Sequence, residues 1–207
     1  MPVDLAAMLT PGAVALVTQE CQGAVVGEQS LLPELAAEAR RVAVPNIARL
    51  ASAARAVGVP VVHCVAVRRA DGLGASTNAP LFTALARSGV PLLAGTPATT
   101  VVPEIGPDPR DVVLQRLHGV GPMADAGLDS LLRNLGVRTI VAVGVSVNIG
   151  LTDLVVSAVN AGYAVVLPAD AVAGVPPSYA ADVLRHTLRL LATVVGTGDV
   201  LSHWRTP

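Results

Sequence analysis

Five runs of nearly continuous apolar residues, set apart by helix-patterned or glycine-bearing segments, constrain this chain more than any other feature. They are GAVALVTQ (Gly12–Gln19), VPVVHCVAV (Val59–Val67), DVVLQRL (Asp111–Leu117), RTIVAVGV (Arg138–Val145) and AVVLPADAVAG (Ala164–Gly174). A strand that is apolar on both faces must be covered on both faces, which is the situation of a parallel sheet flanked by helices. Helical spacing is read for Leu31–Val57, with a restart at Pro45-Asn46, and for Leu81–Arg87. It is also read for Gly127–Gly136, where Gly136 suits the C-terminal cap, for the segment after Val145, and for Tyr179–Thr193. Gly89–Arg110 reads as irregular, and the tail as a short strand and helix through Trp204. The expected fold is α/β: a three-layer α/β/α sandwich with a mostly parallel, Rossmann-like central sheet. With no internal repeat and no linker, residues 1–207 read as one domain.

Composition narrows the partners. Apolar residues make up 52% and charged residues 14%, so part of the surface is expected to be covered by further copies of the chain. A net charge of −1 gives no electrostatic case for nucleic acid or an anionic membrane, and no apolar run is long enough for a membrane span. The segment MPVDLAAMLTPG lacks the basic start of a signal peptide, and the only cysteines, Cys21 and Cys64, lie in apolar contexts. A reducing cytoplasm is the expected location. Every positive side chain is arginine; the sequence contains no lysine.

In parallel α/β sheets, ligands bind beyond the carboxyl ends of the strands, so the residues there are the candidates for function. Glu20 ends the first apolar run and Arg116 the third. If these ends converge, a carboxylate and a guanidinium meet at the ligand edge, either as a structural staple or as chemistry. After the fourth run comes GVSVNIG, where Asn148 is expected to cap the next helix and leave the amides of Ile149, Gly150 and Leu151 pointing outward for an anion or oxyanion. Gly150 would let a ligand approach the backbone closely. Ser146 lies in the same turn but has no histidine neighbour in sequence to act as base. Asn78 and His118 sit on loops above the expected site, and His63, within the second strand, is a pocket candidate or a satisfied core histidine. QECQGAVVG after the first strand lacks the GxGxxG spacing of a dinucleotide fold, and no cofactor is expected.

These positions, with DVVLQRLHG, LDSLLRNLGVRTIVAVGVSVN and AVNAGYAVVLPADAVAG, resemble the isochorismatase-like hydrolases, also called cysteine hydrolases, over nearly the whole chain. The resemblance implies an isochorismatase-like fold, hydrolytic activity on a small substrate and a homodimer or homotetramer. It also implies an Asp–Lys–Cys triad, whose three places fall on Glu20, Arg116 and Gly150 here, so that all three members are replaced. The metal-binding branch uses an Asp-x-His arrangement, whereas this loop carries Arg68, Arg69 and Asp71, and no metal is expected. Cys21, next to Glu20 on a strand, should face the other way and serve as a core residue. A thiolate acyl-enzyme is therefore not expected. Isochorismatases cleave a vinyl ether without a covalent intermediate, and some related members have glycine in the cysteine position. The resemblance thus leaves two readings. One is a hydrolase in which Glu20 acts as acid or base with water, on a small carboxylate-bearing substrate held by Arg116 and the Asn148–Gly150 turn. The other is a catalytically inactive paralogue that binds small molecules or serves as a scaffold. A cis Val145–Ser146 peptide is a further implication of the resemblance.

Overall fold

The computed structural model describes residues 4–124 and 126–205. A short helix α1 (Leu5–Met8), capped by the Asp4 carboxylate, leads into β1 (Val14–Gln19). Helices α2 (Gly23–Val26) and α3 (Pro33–Glu38) follow, and α3 runs through a π-helical turn (Ala39–Ala43) into α4 (Val44–Ala56). Pro45 lies at the start of α4, where its missing N–H is tolerated; this is the restart expected at Pro45-Asn46. Next come β2 (Val61–Ala66), α5 (Pro80–Arg87), a single 3₁₀ turn (Pro103–Ile105) and β3 (Val112–Arg116). The second half comprises α6 (Leu128–Asn134), β4 (Thr139–Val145), a π-helical turn (Val147–Leu151), α7 (Thr152–Asn160) and β5 (Ala164–Pro168). It closes with β6 (Val172–Ala173), α8 (Pro177–His186), β7 (Thr193–Val195) and α9 (Thr197–His203).

The helix expected over Tyr179–Thr193 is corrected at both ends. It begins at Pro177, stops at His186 and gives way to a 3₁₀ turn over Leu188–Leu190. Thr193, Val194 and Val195 then pair with Val166, Leu167 and Pro168 as strand β7. The apolar spacing continues past His186, but with Leu188 buried and Leu190 81% exposed the stripe no longer faces one side. The β-branched residues that follow fit a sheet edge better than a helix.

Among the described residues seven strands form one sheet in the order β3-β2-β1-β4-β5-β7, with β6 also beside β4, and all paired strands are parallel. Alternation along β1 divides the interior. Val14 and Leu16 join the core under α3, α4 and α9, while Ala15 and Val17 join the core under α6, α7 and α8. Trp204 pins the tail to the first layer, its indole N–H donating to the Leu9 carbonyl at 3.1 Å. The chain winds outward from β1 through β2 to β3 and then returns to place β4 on the other side of β1. The carboxyl ends of β1 and β4 therefore frame the switch point, where an open α/β sheet leaves a crevice. No helix among the described residues is long and apolar enough to cross a membrane.

Candidate active site

At the end of β1 the backbone turns sharply. Glu20 has φ +52°, the one non-glycine residue with positive φ among those described, while its N–H donates to the Cys64 carbonyl at 2.9 Å. A glutamate in the left-handed region costs on the order of 1 kcal/mol or more and persists where its surroundings hold it, a condition that is common at functional sites. Opposite, Gly144 of β4 has φ +109°, and a Cβ there would lie 2.3 Å from the Gln19 carbonyl oxygen. Only glycine lets the two strands approach this closely. Gln22 secures the next turn: its Oε1 accepts from Ala66 N at 2.6 Å, and its Nε2 donates to the carbonyls of Ala66 and Ala98.

Glu20 and Arg116 do converge. Arg116, 6% exposed at the end of β3, donates through Nη2 to Glu20 Oε1 and through Nη1 to the carbonyls of His118 and Gly119. The Glu20 side chain keeps 21% of its surface, and burial pushes its carboxyl above the usual range, opposed by the charge and hydrogen bond of Arg116. Since these Arg116 donors are turned to protein acceptors, the fork expected to hold a substrate carboxylate is already occupied.

The turn after β4 differs from its expected form. The Val145–Ser146 peptide is cis, as the resemblance implied. Ser146, not Asn148, stands at the N-cap position, and its carbonyl accepts from the amides of Ile149 and Leu151 at 3.2 and 2.9 Å. Those two amides are therefore spent within the turn rather than presented to a ligand. Asn148 lies inside the turn and ties it to the loop before α8, Nδ2 donating to the Val175 carbonyl at 2.6 Å. Gly150 is buried, and a Cβ on it would meet Gln19 Nε2 at 3.0 Å. Gln19 is fully buried and anchored to the Val120 carbonyl at 3.0 Å, so its amide fills the space beneath residue 150.

Glu20 and Arg116 line a cavity of about 270 Å³, together with Ser146, Asn148, Ile149, Gly150 and His118. Its walls are mainly apolar: Leu31, Leu32 and Leu35 from the α3 side, and Leu81, Phe82 and Leu85 from α5. Two expected pocket residues lie elsewhere. Asn78 is exposed and outside the cavity lining. His63 is fully buried in a separate network, because its ring lies on the face of the sheet that α4 covers, between Thr18 and Asp111, rather than past the strand end. Its Nδ1 lies 2.8 Å from Thr18 Oγ1 and its Nε2 3.1 Å from Asp111 Oδ2, while Arg55 binds the same carboxylate in bidentate fashion. A carboxylate only accepts, so Nε2 carries the proton and Nδ1 accepts from the Thr18 hydroxyl. Burial lowers the His63 pKa against the pull of Asp111.

Both thiols are remote from such chemistry. Cys21 and Cys64 are buried, and burial pushes each up to about 12, the reverse of what a nucleophilic thiolate needs. Sequence reasoning passed over Gln19, Ser76 and Arg68 as site residues, although Ser76 and Arg68 line the cavity and Gln19 backs it. For Arg68 the signal was present, since it follows β2 at the carboxyl edge.

The isochorismatase domain matches residues 14–199 of the chain. An isochorismatase family protein from Burkholderia thailandensis superposes with a TM-score of 0.76 at 27% identity, over 95% of this chain and 98% of that one. One from Desulfovibrio vulgaris gives 0.76 at 28%, over 92% and 98%. A cysteine hydrolase from Pseudomonas syringae pv. phaseolicola gives 0.79 at 25%, over 94% and 93%. No curated protein matches. Fold, cavity and a domain match over most of the length lead to one conclusion: this chain belongs to the isochorismatase domain family.

Proposed function

We propose that the protein is a hydrolase whose acid–base group is Glu20 and whose nucleophile is water, with Arg116 holding the Glu20 side chain in place and no cysteine taking part. The observation that carries this reading is a glutamate with a raised pKa, held in a left-handed turn beside the cavity and bonded through one oxygen to Arg116. Its Oε2 makes no hydrogen bond to another described residue and is the oxygen available to a substrate or water. In its ionised form Glu20 takes a proton from water as the water oxygen bonds to an acyl carbon, then returns that proton to the leaving nitrogen or oxygen. In its protonated form it gives the proton to the terminal carbon of a vinyl ether. Water then adds to the oxocarbenium carbon, its proton returns to Glu20, and the hemiketal collapses. Position 150, occupied by glycine above the Gln19 amide, supplies no nucleophile in either route. The triad places of the family are read here as replaced, and the expected oligomer remains part of this proposal.

Mass-spectrometric turnover on a panel of vinyl ethers, small amides and carbamoyl compounds tests the reading with wild type beside Glu20→Gln. Turnover lost in the variant supports it; unchanged turnover rejects it. A second reading, a small-molecule-binding paralogue without chemistry, is favoured by the donors that Arg116 spends on Glu20 and two carbonyls, which leave a closed neutral pair. Silence across the panel with both proteins folded favours that alternative.

A further inference from the structure

The cavity contains a second arginine in a different condition. Arg68 follows β2, its backbone N–H donating to the Leu92 carbonyl at 2.7 Å, and it lines the cavity with its side chain half-buried. The guanidinium has one weak protein contact, Nη2 to the Phe82 carbonyl at 3.5 Å, and no carboxylate among the described residues pairs with it. This contrasts with the two arginines at the ends of β3: Arg55 is closed on Asp111, and Arg116 on Glu20 and two carbonyls. Because Glu20 and Arg116 neutralise one another, Arg68 supplies the uncompensated charge among the acidic and arginine residues of the cavity. A partly desolvated guanidinium gains most from an anion that can accept its fork of donors. Around it the walls are aliphatic or aromatic, notably Leu81, Phe82, Leu85 and Leu92, and offer no other reason for a cation to be placed there.

We infer that Arg68 is the anion-binding residue of this cavity, and that its ligand is a small monoanion, a carboxylate on an aliphatic body, seated with the body against the leucine and phenylalanine walls. The inference rests on the reading of this cavity as the substrate site. The carboxylate role expected of Arg116 passes to Arg68, and Glu20 remains available for the reacting group. A volume of about 270 Å³ limits the body to a few carbons beyond the charged and reacting groups, below the usual size of a drug-binding pocket.

Binding, rather than turnover, is the test. Calorimetric titration compares 4-methylpentanoate, its neutral isostere 4-methylpentanamide, and acetate on wild type, Arg68→Gln and Arg68→Lys, with circular dichroism verifying that each variant is folded. The acid is expected to bind wild type, to bind Arg68→Gln about tenfold or more weakly, and to recover most of that loss in Arg68→Lys. The amide should bind wild type and Arg68→Gln alike, and acetate should bind more weakly than the longer acid. No binding of the acid, no loss in Arg68→Gln, equal losses for acid and amide, or acetate binding as tightly as 4-methylpentanoate each overturns the inference. The hydrolase reading is judged separately. Arg68-dependent acid binding without turnover of any panel compound sinks catalysis and leaves the anion site standing. Glu20-dependent turnover without acid binding does the reverse.

Discussion

Two acid–arginine clusters lie near β3, one at each end, and they are built to opposite ends. At the amino end, Asp111 is 3% exposed by side chain and accepts from Arg55, His63 and the Asp108 amide, with Thr18 completing the chain. Its polar atoms are paired with one another, and it does not line the cavity beside Glu20. At the carboxyl end, Glu20 and Arg116 are also paired, but one carboxylate oxygen has no hydrogen-bond partner among the described residues and the pair borders a cavity. The same residue types make a staple where side chains close around them and a candidate site where the sheet's switch point keeps them open.

The largest effect expected is on stability, at the closed cluster. Asp111→Ala strands a guanidinium whose side chain is only 13% exposed and should cost about 3 kcal/mol in urea unfolding. A loss below about 1 kcal/mol would remove the contrast between the two ends. Glu20→Gln leaves Arg116 its two carbonyl partners and a neutral amide oxygen, so a smaller stability change is expected, but turnover of any panel substrate should fall by about 10²-fold or more. A modest stability loss with unchanged turnover would make both clusters staples.

The two ends also differ in the sign of their pH dependence. Burial lowers the His63 pKa, and its partners hold Asp111 low although burial opposes them. Groups depressed in the fold give stability that is present above their unfolded pKa and lost on acidification. The His63 part is thus expected to fade as the pH falls below about 6.5, and the Asp111 part below 3.8. Glu20 is raised, so its part is present below 4.5 and lost as the pH climbs through its folded value. Just below pH 6.5, the slope of unfolding free energy against pH should shrink in His63→Gln and persist in Glu20→Gln; the opposite pattern would reverse the assignment.

Smaller effects probe the floor of the site. Gly150→Ala presses on a Gln19 amide that is buried and tied, and should destabilise by roughly 1 kcal/mol. A neutral or stabilising change would mean that Gln19 yields and that position 150 could take a side chain. The smallest expected effect is that of Cys21→Ala with Cys64→Ala on catalysis: turnover should be unchanged, and neither thiol of the native protein should react with an alkylating agent before unfolding. Loss of turnover in a folded double variant would restore a role for sulfur.

The sequence by itself determined the elements and the edge where function should lie. Continuous apolar runs leave no face for water, so the strands had to be covered on both sides, and strands separated by helices pair in parallel. Glu20, Arg116 and the Ser146–Gly150 turn could be placed because strand ends are visible as the points where apolar runs stop. Tertiary structure alone decided which polar groups meet. His63 has the same sequence aspect whether its ring faces a cavity or a carboxylate, and Asp111 lies 48 residues away. Asn148 looked like a cap until the π-helical turn moved the N-cap to Ser146 and used the amides of Ile149 and Leu151 inside the turn. The condition of the arginines was illegible for the same reason. A guanidinium is closed or open according to acceptors contributed by distant strands and loops, and pattern along one strand carries no information about them.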